Sequence, residues 1–135
     1  MNAFFLLRVS LWVNVAILVP VIYKLLIARS KNKNDENHKN NFDKVMGPDT
    51  QGRRILSSMY CTILILSLRA LFLTNPIEAC KVAVPLFWMQ IIYKTLSAFT
   101  CLYWNPVIYA NQMVTVIHLC TLYSLHQQEG IQVLF

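Results

Sequence analysis

Glycine is nearly absent: three residues in 135. No GxxxG face is therefore available for close helix pairing of that type. Charge is scarce as well. Charged residues make up 13% of the chain, against about 25% in a typical soluble domain. A soluble unit of this length needs a polar shell that this sequence cannot supply. Acidic residues number only six, and all lie outside the long apolar runs. No carboxylate is thus expected at membrane depth to relay protons or sodium.

Other absences exclude chemistry. The four cysteines, Cys61, Cys80, Cys101 and Cys120, form no CxxC pair and no metal-ligand spacing. Neither a dithiol oxidoreductase nor structural zinc is expected. Each lies in or beside an apolar run, where a thiol behaves as a small hydrophobe. Cys80 and Cys120 are expected toward the outer side and Cys61 and Cys101 toward the inner side, and a Cys80–Cys120 pair is geometrically possible if the fourth run ends late. There is no Ser-His-Asp set, phosphate loop, dinucleotide fingerprint or internal repeat. The apolar runs lack the two-residue alternation of barrel strands.

What remains is apolar sequence in long blocks. Hydrophobic residues make up 56% and the mean hydropathy is +0.47. Such blocks suit a bilayer, where about 20 apolar residues cross the hydrocarbon core. Four runs are expected as helices, at 4–27, 55–74, 81–104 and 107–126. The fold class is all-α: a single four-helix transmembrane bundle over 1–135. The first run has no basic stretch before it and no small-x-small site after it, so it reads as a retained helix, not a signal peptide. Pro20 is expected to bend its far end. Asn75-Pro76 is expected to end the second run, with Ile77-Glu78-Ala79 as a hinge. Trp104-Asn105-Pro106 supplies a tight turn. The tail IQVLF is too short for another span.

One hydrophilic segment, 29–54, separates the first two runs. Its opening Asn/Lys-rich tract buries too little apolar surface to fold alone. Gly47-Pro48-Asp49-Thr50 is turn chemistry, Asp49 or Thr50 is a candidate cap for the next helix with Gln51 and Gly52 in its first turn, and Phe42 and Met46 are candidates for the membrane surface. The segment also carries most of the positive charge: Arg29, Lys31, Lys33, Lys39, Lys44, Arg53 and Arg54, with Lys24 at its border. A net charge of +6 concentrated there reads as topogenic, not as a nucleic-acid surface. Residues 29–54 are expected in the cytoplasm, with both termini opposite, in a membrane of the bacterial inner type. Arg53 and Arg54 are candidates for contact with anionic lipid or an acidic partner. Trp12, Trp88, Trp104, Tyr23, Tyr103 and Tyr123 fit aromatic belts.

Polar residues inside the runs fall on helical faces. Arg8, Lys24, Arg69 and Lys81 are close enough to run ends to reach water. Lys94 is deeper, nine residues or ~13 Å from Tyr103. Gln90, Lys94, Ser97 and Cys101 form one stripe; Asn111, Thr115 and His118 form another. Antiparallel packing is expected to bring Gln90 near His118 and Lys94 near Thr115 or Gln112, with Asn14 added from the first run. This seam has two readings. It can glue helices by hydrogen bonds, or it can bind an anionic or carbonyl-bearing ligand such as a quinone or lipid headgroup. Lone His118 is a weak candidate as an axial ligand of a tetrapyrrole metal.

The expected role is an accessory or structural subunit of a larger membrane complex, with the bilayer and a membrane protein or further copies as partners. No enzyme constellation is expected. A small-ligand protein or intramembrane enzyme using the seam is the second reading, and an oligomeric small transporter the third.

Overall fold

The structure is a computed structural model that describes residues 2–26, 51–100 and 106–131; the side chains of Leu26 and Arg53 are not among those described. Every regular element among them is a helix: α1 (Ala3–Leu26), α2 (Gln51–Phe72), α3 (Pro76–Thr100) and α4 (Pro106–Glu129). Expectations for 27–50, including the caps at Asp49 or Thr50 and the placing of Phe42 and Met46, lie outside the described residues. So do those for Cys101, Tyr103, Trp104 and Asn105.

Three helices are long and apolar enough to cross a membrane, over Ala3–Leu25, Arg54–Phe72 and Pro76–Thr100. α4 matches them in length, at 24 residues, but falls short in apolarity. Its central part carries Asn111, Gln112, Thr115, His118 and Thr121.

The helix ends correct the sequence reading in places. α2 spans Gln51–Phe72, so Gln51 and Gly52 are helical as expected, and Arg53 and Arg54, placed at the end of the hydrophilic segment, are helical too. Asn75-Pro76 does not lead into a hinge. Asn75 Oδ1 accepts a hydrogen bond from the Ile77 amide at 3.0 Å, and Asn75 O accepts one from Ala79 N at 3.1 Å. Asn75 is thus the N-cap of α3 and Pro76 its first residue, where a missing N–H costs nothing. Ile77, Glu78 and Ala79 form the first turn, and Lys81 is paired with Glu78 at 2.7 Å. Asn2 caps α1 in the same way, accepting from Phe4 N at 2.9 Å. Gly130 follows α4 with φ of 59°, the left-handed conformation that closes many helices. Both α1 and α3 continue as helix through their internal prolines, Pro20 and Pro85.

The four helices close a ring. α1 packs on α2 and α4, and α3 packs on the same two, while α1 and α3 touch less across the middle. Direction follows from two apolar clusters. One joins the start of α1 (Ala3, Leu7, Leu11) to the end of α2 (Ala70), the start of α3 (Ala79, Ala83, Phe87) and the end of α4 (Leu122, Leu125). The other joins Leu18 and Leu25 to Tyr60, Ile63 and Leu86. Neighbours in the ring therefore run antiparallel. At the first cluster Ala3, Ala70, Ala79, Cys80 and Ala83 are small and buried. Such residues let backbones approach closely, a part that glycine plays elsewhere.

Candidate functional site: a buried polar seam

Each helix brings polar side chains inward. Ser10 and Asn14 come from α1, Ser57 and Ser67 from α2, Gln90 and Lys94 from α3, and Thr115, His118 and Thr121 from α4; all are buried. Buried polar groups need partners, and most of these find them across helix boundaries. Ser10 Oγ and His118 Nδ1 are hydrogen-bonded at 2.7 Å. Asn14 Nδ2 donates to Ser67 Oγ at 3.2 Å. Lys94 Nζ donates to Asn111 Oδ1 at 3.1 Å. Gln112 Nε2 donates to the Lys94 carbonyl at 2.8 Å, and Ser97 Oγ donates to the same oxygen at 2.7 Å.

The expected α3–α4 seam forms. Lys94 meets Gln112, one of its two expected neighbours, and Asn111 in place of Thr115. His118 stacks on Phe87, with ring centroids 4.2 Å apart and 13° between planes. Lys94–Asn111 and Phe87–His118 are thus level pairs, and Gln90 falls between them at the height of Thr115. The offset from the expected Gln90–His118 pairing is about one turn. Lys94 lies six residues, or ~9 Å, from Thr100, the last described residue of α3. It is nonetheless 3% exposed, so its ammonium stays inside. Asn14 does not join this group; it turns to α2.

Sequence reasoning missed Ser10 and Ser67. Ser10 precedes Asn14 by one helical turn, so the pair shares a face. That spacing was a usable signal. Ser67 stands in a long apolar run and had none.

Hydroxyls outside the seam are satisfied locally. Ser58, Thr62 and Thr100 donate to the carbonyls of Arg54, Ser58 and Leu96 at 3.1, 3.0 and 3.0 Å. Exposed Arg8, Lys24 and Arg69 lie within one or two turns of helix ends. Arg54 is exposed at the start of α2. Cys80 and Cys120 are both free thiols, the first buried and the second exposed, so the permitted pair does not form. Among the described residues no three His, Cys, Asp or Glu side chains converge as a metal set.

Among the described residues three buried polar atoms have no protein partner: Gln90 Nε2, Tyr93 Oη and His118 Nε2. Gln90 lies one helical turn from Phe87, the ring on which His118 stacks, on the face of α3 that also carries Lys94.

No protein-family model matches the sequence, and no curated protein and no solved structure is significantly similar to it.

Proposed function

We propose that the chain is a four-span integral membrane protein that serves as an accessory or structural subunit of a larger membrane complex. One observation carries the fourth span. The outward side of α4 is apolar, with Tyr109 57%, Met113 69%, Val116 59% and Tyr123 67% exposed, while His118 and Thr121 are fully buried. A helix against water has the opposite arrangement. The low apolarity of α4 therefore comes from its inner face, which a bilayer does not touch.

The subunit reading rests on the seam. Ser10–His118, Asn14–Ser67, Lys94–Asn111 and Gln112–Lys94 join three pairs of neighbouring helices. Interhelical hydrogen bonds of this kind hold membrane helices in register. With residues 29–54 in the cytoplasm and both termini opposite, the basic segment obeys the positive-inside bias. A bacterial inner membrane fits that arrangement.

The test has two parts. In a variant retaining only Cys120, a membrane-impermeant maleimide should fail to label intact membranes and should label the denatured protein. Ready labelling in membranes places α4 in water and ends the four-span reading. For the subunit reading, gentle solubilisation should yield the protein within a larger assembly; a lone monomer refutes it.

A further inference from the structure

Some polar atoms of the seam have no partner among the described residues. Lys94 carries three N–H groups, and one donates to Asn111. The Gln90 amide carries two, and its nitrogen has no partner. His118 engages Nδ1 with Ser10 and leaves Nε2 unpartnered. A serine hydroxyl that donates to Nδ1 leaves the ring proton on Nε2, which adds another donor. Gln90 and His118 are 1% and 0% exposed, so bulk solvent does not satisfy them.

Charge adds to the need for a partner. An ammonium taken out of water is strongly unfavourable unless it is paired. No carboxylate pairs with Lys94 among the described residues. Glu78 is taken by Lys81 at the start of α3, and Glu129 is the last residue of α4. Among the described residues the ammonium meets only neutral groups: it donates to Asn111 Oδ1 and lies 5.5 Å from the centroid of the Tyr93 ring.

These donors share one region. Phe87, Gln90 and Lys94 lie on one face of α3, at i, i+3 and i+7. His118 stacks on Phe87, one helical turn from Gln90.

We infer that Lys94, Gln90 and His118 form a binding site for a small monovalent anion within the four-helix ring. Water is the weaker occupant. It accepts two hydrogen bonds but brings two protons that need acceptors of their own. An anion without protons accepts from all three side chains and neutralises the ammonium. This inference goes beyond the subunit role and does not depend on it.

Chloride is the probe. The purified full-length protein in mild detergent should gain thermal stability as sodium chloride replaces sodium sulfate at constant ionic strength. The rise should saturate, at about 5 °C for a site filled well beyond its dissociation constant. Gln90→Leu removes an unpartnered donor without stranding a charge, so it should fold; it should need roughly tenfold more chloride for half the effect. Lys94→Met should lose the response altogether, and Lys94→Arg should keep it. Line broadening of the chloride nuclear resonance by wild-type protein, absent with Lys94→Met, gives a second readout. A wild-type protein with equal stability in chloride and sulfate and no line broadening overturns the site. So does a Gln90→Leu protein with the wild-type chloride dependence. Either failure leaves the subunit reading untouched.

Discussion

α1 and α4 are neighbours in the ring, each 24 residues long, yet only α1 is apolar enough by composition to cross a membrane. Their outer faces are alike: Phe5, Trp12 and Tyr23 on one, Tyr109, Met113 and Tyr123 on the other. Their inner faces differ. α1 presents Ser10 and Asn14 among leucines, whereas α4 presents Thr115, His118 and Thr121, all buried. Average hydropathy adds both faces together, but lipid meets only one. A helix with a polar interior can therefore sit in a bilayer if its neighbours supply hydrogen bonds, and α1 and α3 supply them to α4.

Substitutions can break this comparison at graded cost. Asn111→Leu removes the hydrogen-bond acceptor of the Lys94 ammonium. Leaving a buried charged donor unsatisfied costs about 3 kcal/mol or more, so unfolding in mixed detergent should occur at clearly lower denaturant. A loss below 1 kcal/mol means that Lys94 reaches water. Next, Val116→Asp places charge on the outer face of α4. Acidic residues at a span centre cost about 2.5–3.5 kcal/mol on insertion scales, so glycosylation mapping should show α4 failing to insert. A surface aspartate on a water-exposed helix changes stability by only about 0.5 kcal/mol, and that result would remove α4 from the membrane.

Smaller effects sharpen the comparison. Asn75→Ala deletes the α3 cap and should cost about 1 kcal/mol; no loss means that the first turn is held by packing alone. Ser10→Ala tests the contact between the two helices compared. Interhelical hydrogen bonds in membranes average about 0.6 kcal/mol and reach about 1.7. A double cycle with His118→Leu should give a coupling in that range, and a coupling of zero would show that the 2.7 Å contact adds nothing to stability.

Much of the helical pattern was legible from run lengths. The boundaries were less so. Asn75 and Pro76 read as a stop because both disfavour helix interiors, but the same two residues start helices. Only the hydrogen bond from Ile77 decides which role applies. In the seam, Lys94, Asn111, Gln112 and His118 were legible because polar residues in apolar runs are conspicuous. Their pairing was legible in part: Gln112 was an expected neighbour of Lys94, whereas the Asn111 and Phe87 contacts were not foreseen. Height matching is good only to about one turn, and one turn moves each partner by about 5.4 Å. The polar residues alone also could not separate glue from binding site, since that turns on which atoms remain without partners.

Ser10 and His118 stand 108 positions apart in the chain. As helices are made in order, α1 enters the bilayer with its serine uncovered, and its eventual partner is in the last described helix. The ring cannot close until α4 arrives. Until then the inner faces of α1 and α3 lack the helix that covers them both, a state that other membrane proteins or quality-control proteases can recognise. Loss of the Ser10–His118 contact should therefore act first on the yield of assembled protein, and only second on the stability of the molecules that complete the ring.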